Sequence, residues 1–160
     1  MDIERVLGIV VAAVAVFGAV LSTLNFRAQR SHRLAGIKLK VSNGFPVYGP
    51  RLGDLQLQLD AINTGDRSVV ISSFGFKLPD GDKRLYLIDP TFKSVQALPH
   101  ELPPHRNCLV GEDMRIIASN LAREGYLGTV RLVGFCTDQE GNEFLGQPWD
   151  FNVNEWRAVG

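Results

Sequence analysis

The reactive groups in this 160-residue chain are few: three histidines, two cysteines and the carboxylates. The densest grouping is His100-Glu101-Leu102-Pro103-Pro104-His105-Arg106-Asn107-Cys108. Imidazole, carboxylate and thiolate all bind zinc, and ligands five and three residues apart could converge on one ion. The run matches no established zinc spacing, however. Its two prolines stiffen the gap, and a four-ligand site would need Cys136 from another strand. An ordinary surface loop is the expectation, with His100, His105 and Cys108 as weak metal candidates. A tethered metal protein or enzyme built on residues 100–108 is the alternative.

Other groupings carry less chemistry. His32 sits among arginines and reads as solvated. Cys136, between Phe135 and Thr137, reads as a small buried side chain. Cys108 has Arg106 nearby, but a structural thiol is the commoner case. Acids gather at turns (Asp80 and Asp82, Glu112 and Asp113, Asp138 and Glu140), where they cap and solubilise, and no pair supplies enough ligands for calcium. No glycine-rich loop joins a strand to a helix as phosphate binding requires. Basic–aromatic interleaving for single-stranded nucleic acid is missing too. The expectation is a non-enzymatic protein with no cofactor and no nucleic-acid partner.

Charge divides the chain that must position these groups. The totals balance at 17 basic and 17 acidic residues. Residues 1–40 hold six bases against two acids, leaving 11 bases and 15 acids for residues 41–160. Such asymmetry points to a membrane or an interaction tail. Val6 to Phe26 (VLGIVVAAVAVFGAVLSTLNF) carries no charge over 21 residues. As a helix this would extend about 31 Å, close to the hydrocarbon thickness of a bilayer. The acidic start MDIER, the long apolar core and the exit Asn25-Phe26-Arg27 disfavour a cleaved signal peptide. The reading is a 1–5 extracytoplasmic stub, a 6–26 transmembrane helix and a 27–36 basic juxtamembrane linker.

Arg5 alone precedes the span, whereas Arg27, Arg30, Arg33, Lys38 and Lys40 follow it. The positive-inside bias then places the C-terminal side in the cytoplasm of a cell inner membrane and keeps Cys108 and Cys136 as thiols. The reverse topology would make an extracytoplasmic domain with a Cys108–Cys136 disulfide. Within the span Gly8, Ala12, Ala15, Ala19 and Ser22 share one face, a possible helix–helix contact. The five bases after the span are expected to touch anionic headgroups without a specific ligand.

Beyond Gly36 the pattern turns to short alternating runs. Ile37, Leu39 and Val41 alternate with polar residues, as do Leu55, Leu57, Leu59 and Ala61. Asn63-Thr64-Gly65-Asp66 reads as a turn, and Ser68 to Leu78 as a strand rich in β-branched and aromatic residues. Arg84 to Ile88, Asp113 to Ala118 and Thr129 to Thr137 read as further strands. Ser119 to Glu124 reads as one or two helical turns stopped by Gly125. Asp89 to Asn107, with four prolines, reads as loop or edge. Asn142 to Leu145 pairs back on its predecessor, and Trp149 to Val153 is a last short strand. Seven or eight strands in one domain, 37–153, predict an all-β antiparallel sandwich, with a small barrel as the alternative, followed by a 154–160 C-terminal tail. The aromatic residues read as core, with Trp156 a candidate for a partner contact.

Leu59-Asp60-Ala61-Ile62-Asn63-Thr64-Gly65, continuing through Val69-Val70-Ile71 to Phe74-Gly75-Phe76, resembles a pattern of bacterial immunoglobulin-like domains. There an Asn-x-Gly turn joins two core strands. Leu98-Pro99 and Leu102-Pro103 resemble the proline-marked crossover of such domains, and Cys136 to Phe144 their final Asp-x-x-Gly hairpin. The resemblance covers residues 37–153 and implies an immunoglobulin-like sandwich. It implies no activity, because these folds host adhesion, chaperone, adaptor and assembly roles alike. The antibody-type Cys…Trp…Cys core is absent. The resulting expectation is a single-pass module that holds membrane lipid through residues 6–26 and meets a protein partner or a second copy. An exposed sheet edge or the Asp89–Asn107 loop would supply the contact.

Overall fold

The computed structural model describes residues 14–22 and 36–157. They fall in two units, one within Met1–Leu34 and one within Ala35–Gly160. In the first, residues 14–22 form helix α1, with Val14, Val16, Phe17, Val20 and Leu21 exposed. Among the described residues no helix is long and apolar enough to cross a membrane. The expected 6–26 span runs past α1 at both ends, so its remainder lies outside the described residues. Gly8, Ala12, His32, Arg27, Arg30 and Arg33 lie outside them as well, whereas Ala15, Ala19 and Ser22 belong to α1.

In the second unit the elements run β1 (Ile37–Gly44), β2 (Val47–Tyr48), β3 (Arg51–Leu52), β4 (Gln56–Asn63), β5 (Val69–Lys77) and β6 (Arg84–Tyr86). They continue with β7 (Phe92–Lys93), β8 (His100–Leu102), β9 (Asn107–Asp113), α2 (Met114–Arg123), β10 (Thr129–Asp138), β11 (Glu143–Asn152) and α3 (Val153–Arg157). One sheet has the order β1-β4-β9-β7 and the other β11-β10-β5-β6, with β8 also paired to β5. A separate ribbon joins β2 to β3. The pairings are antiparallel, and the two sheets pack as a sandwich around one core.

Period-two alternation builds that core. Leu57, Leu59 and Ala61 of β4 are fully buried. In β5 the core side chains are Val69, Ile71, Phe74 and Phe76, so the step from Ile71 to Phe74 is one residue too long for strict alternation. The register with β10 slips at Thr137/Asp138, a bulge that absorbs the extra residue and keeps both halves of β5 facing inward. Ser72 Oγ sits 2.9 Å from Asp138 O and 3.1 Å from Thr137 O, satisfying carbonyls the bulge frees.

Glycines let the two sheets meet along one side. A Cβ on Gly134 would lie 2.6 Å from Leu59 Cδ2 and 2.8 Å from Val41 Cγ2. One on Gly146 would lie 2.9 Å from Val41 Cγ2. Edge strand β1 therefore lies directly against edge strand β11, without backbone pairing between them.

Three expectations are corrected. The strand read at Asp113–Ala118 is helix: Met114, Ile117, Ala118 and Leu121 are buried at helical spacing, so α2 begins at Met114. The strand there is β9, upstream, entering through Cys108 and Val110. The runs at 142–145 and 149–153 form a single strand, β11. Pro148 is tolerated because β11 is an edge and the register shifts between Val133 and Phe135. The tail expected at 154–160 is helix α3 through Arg157, with Trp156 half-buried against the core. The unit is thus mostly β rather than all-β.

Asn63 ends β4 with its side chain fully buried. Its Nδ2 donates to Arg67 O at 2.7 Å and Leu102 O at 3.0 Å, and its Oδ1 accepts from Gly65 N at 3.0 Å. Its backbone N–H donates to Arg106 O, and its carbonyl accepts from His105 N, both at 2.9 Å. An Asn63→Ala substitution orphans the buried Leu102 carbonyl and frees the part-buried Arg67 carbonyl, and should cost about 1–3 kcal/mol. Asn63→Asp, which keeps the acceptor but presents a carboxylate to those carbonyls, should cost at least as much. Urea unfolding midpoints at unchanged m-value read this directly, and a loss below about 1 kcal/mol for both would contradict it.

Candidate functional site

The 100–108 run does not converge on one point. His100 is half-buried in β8, opposite Ile71. His105 takes φ +59° on the turn before β9, and its side chain is 74% exposed, with Nε2 4.0 Å from Asp66 Oδ1. Cys108 is fully buried opposite Ala61 in the core. Among the described residues no group of three or more His, Cys, Asp and Glu side chains is placed to hold a metal. Strand alternation is the cause, since it turns Cys108 inward while the preceding turn leaves His105 in solvent.

Cys108 and Cys136 are free, buried thiols on β9 and β10, one in each sheet. Burial, then the negative charge of Asp60, pushes the Cys108 thiol up to about 11, against a weaker lowering by a Ser94 hydrogen bond. Burial, then Cys108 and Asp138, pushes Cys136 up to about 12. Neither supplies thiolate near neutral pH, so nucleophilic chemistry is not available to them.

Surface features concentrate at the end of the sandwich where β1 and β9 finish at Gly44 and Asp113 and β4 starts at Gln56. The chain enters at the opposite end, where Thr64 N donates to Gly36 O at 2.6 Å. The β2–β3 ribbon, the β5–β6 turn, α2 and α3 all gather at the far end. Asp113 caps α2 through Oδ1 to Arg115 N at 2.7 Å. Arg115 Nη2 then bridges Asp113 Oδ2 at 2.7 Å and Asp54 Oδ2 at 2.6 Å, fastening the ribbon's exit to the helix. The Arg115 hydrogen bond holds the Asp113 carboxyl below its ordinary range, and the same partnership raises Arg115. At the other terminus Gly125, with φ +88°, closes a Schellman motif: Tyr126 N donates to Leu121 O at 3.0 Å and Gly125 N to Ala122 O at 3.1 Å.

That motif aims Tyr126 at the β5–β6 turn. Its hydroxyl donates to Asp80 Oδ2 at 2.5 Å, and this bond is the main cause that pushes Tyr126 up to about 12. Between turn and helix lies a hollow of about 500 Å³, floored by Leu78, Leu85 and Leu121 and rimmed by Lys83, Arg84 and Arg123. Lys83 and Arg84 already meet Glu124 at 3.4 Å and Glu143 at 2.9 Å.

Two sheet faces carry further features. Phe135, expected in the main core, points outward from β10 yet is fully buried. Tyr86 meets it edge-on at 5.3 Å, and the Arg84 guanidinium lies 5.3 Å from its ring centre. Gly75 leaves room below: a Cβ there would fall 2.7 Å from Phe135 Cζ. On the other sheet, Lys38 and Lys40 project from β1 beside a hollow of about 480 Å³.

Sequence reasoning missed Phe45, Val47 and Leu52, which stand exposed around the ribbon. A signal existed: an aromatic and two aliphatics among Gly44, Pro46, Gly49, Pro50 and Gly53 have no long strand to bury them.

No family model and no curated protein matches this chain. Among solved structures it is similar to one titled "X-ray structure of Northeast Structural Genomics Consortium target SoR45", at 12% identity. That match covers 72% of this chain and 86% of the other with a TM-score of 0.31, too low to carry an argument.

Three measurements follow from this geometry. Both thiols should resist a water-soluble disulfide reagent in the folded protein and react together in denaturant; rapid native labelling of either contradicts the burial. Because the folded thiols titrate near 11 and 12 against 9.0 unfolded, their stabilisation is complete below about pH 9 and lost as pH rises toward 11–12. The slope is about 1.4 kcal/mol per pH unit per thiol, and a Cys108→Ala/Cys136→Ala variant should flatten it. Asp113→Ala should cost about 1–2 kcal/mol through the lost cap. The lowered Asp113 pKa adds stability above the ordinary carboxylate range that is lost as pH falls through it, so wild type and variant should converge in acid.

Proposed function

We propose that this protein is a single-pass, membrane-anchored and non-enzymatic interaction module. In this reading residues 6–26 tether an immunoglobulin-like sandwich whose helix-bearing end meets a protein partner or a second copy of the chain. The basic flank from Arg27 to Lys40 supports, through the positive-inside bias, a domain on the cytoplasmic side of a cell inner membrane. Supporting the immunoglobulin-like reading, the orders β1-β4-β9-β7 and β11-β10-β5 run as A-B-E-D and G-F-C do in that fold.

The observation that carries the proposal is a set of apolar side chains left in solvent at one end. Phe45 is 52% exposed, Val47 67%, Leu52 66%, Ile116 46% and Leu127 64%. They sit on the ribbon, on α2 and on the segment after it, elements that the two sheets do not need for closure. Single exposed apolar residues are ordinary, as at Ile88 and Leu145, but five on the protruding elements of one end supply the apolar area a contact surface needs. This end replaces the Asp89–Asn107 loop as the favoured surface, because β7 and β8 tie that loop into both sheets.

A photo-crosslinking side chain at Val47 or Leu127, in the full chain in intact membranes, should yield an adduct of discrete mass. The same probe at Gln139 or Glu140, at the opposite end, should yield none. Adducts at both ends alike, or at neither, would sink the proposal. A Phe45→Ser/Val47→Ser/Leu52→Ser variant should abolish the adduct from Leu127 with little change in stability, since these side chains are mostly in solvent.

A further inference from the structure

Strand β1 continues the basic run that follows the apolar segment, and its geometry gives two of those bases a specific setting. Lys38 and Lys40 are two residues apart on one strand, so they share a face with Cα atoms about 6.8 Å apart. Both are exposed. Asp60 lies directly across from Lys40, but its carboxylate accepts Asn107 Nδ2 at 2.8 Å. Among the described residues neither lysine has an ion-pair partner, whereas Lys77, Lys83 and Lys93 each have one.

The adjoining hollow, about 480 Å³, takes its polar lining from Lys38, Lys40, Ser42, Gln58, Asp60 and Gln147, with Leu39, Val41 and Leu109 making up the rest. Two ammonium groups, a hydroxyl and two carboxamides offer donors against one carboxylate, Asp60, which accepts from the neutral Asn107 amide and keeps its charge, so the hollow is positive on balance. That is a donor set matched to the acceptor oxygens of a phosphate diester: compact cations for the charge, neutral donors for the remaining oxygens. The sign is local, because residues 41–160 carry 11 bases against 15 acids and would otherwise be repelled by an anionic surface.

We propose that this hollow receives the phosphate of an anionic phospholipid headgroup, so that the folded domain, and not only the linker before it, grips the bilayer. The inference rests on the membrane-anchored reading above. Lys38 lies 12 residues beyond Phe26, a separation of at most about 43 Å along an extended chain. The bond is electrostatic and weakens with salt.

The test uses the full chain in nanodiscs of phosphatidylcholine, with and without phosphatidylglycerol, and mass-spectrometric footprinting of lysine acylation. Lys38 and Lys40 should acylate several-fold more slowly in discs containing phosphatidylglycerol, while Lys83 and Lys93 keep their rates. High salt should abolish the difference. A Ser42→Ala/Gln58→Ala variant should lose most of the protection with both lysines retained; full protection there means bare surface charge and overturns the hollow. Equal acylation in both discs overturns the inference outright. Protection by inorganic phosphate in phosphatidylcholine discs overturns the headgroup assignment in favour of free phosphate. A chain that fails to enter either disc overturns the membrane-anchored reading instead, so the two failures remain distinguishable.

Discussion

Where the chain leaves the first sheet for the second, one buried carboxamide holds the crossing. Asn63 binds the carbonyls of Arg67 and Leu102 and the amide of Gly65. It thereby pins the β4–β5 turn to the segment that leads from β8 into β9. An amide in that position must satisfy its partners or lose far more than a hydrogen bond is worth in water. The register of β5, and with it the inward set Ile71, Phe74 and Phe76, starts from this knot. So does the placement of β8 on the edge of β5. The turn residue matters less for its backbone freedom than for the polar groups it stitches.

Period-two patterning made much of the sandwich legible. Leu57, Leu59 and Ala61 alternate cleanly, and Thr129 to Thr137 and its hairpin turn were readable because Val130, Leu132 and Cys136 turn inward at period two, even though Phe135 is buried on the outer face. Legibility failed where two periods abut. Asp113 ends a strand and caps a helix, so Met114 to Ala118 looks β-branched and apolar until Leu121 completes the helical spacing. It also failed where polarity misleads. Gln56 occupies an outward position in β4 yet is 1% exposed, covered beside Gly111, and Glu112 is buried with its carboxylate on the Thr91 hydroxyl. Outward position and solvent exposure are separate properties, and only the first follows from alternation.

The candidate surfaces were less legible than the fold, for a related reason. Sequence proximity made His100, His105 and Cys108 look like a cluster, and a strand dispersed them. The cluster around Phe135 joins β5, β6, β10 and β11, residues far apart in the chain with no shared motif. What sequence did carry to the surface was charge. The excess of bases up to Lys40 ends on a strand whose lysines the domain's own acids leave unpaired.

The glycine contacts at Gly134 and Gly146 have a consequence for how the domain behaves among other chains. They draw β1 against β11, so the two long edge strands shield each other although no ladder joins them. Unpaired strand edges are the usual template for strand exchange and amyloid-like recruitment. On the opposite side the edges are β6, β7 and β8, only two or three residues each. Edges so short offer an incoming strand too few backbone bonds to hold it. The sandwich resists sheet-to-sheet aggregation on both flanks by different means, closure on one and brevity on the other. A larger residue at Gly146 would separate β1 from β11 and uncover the longer and more dangerous pair.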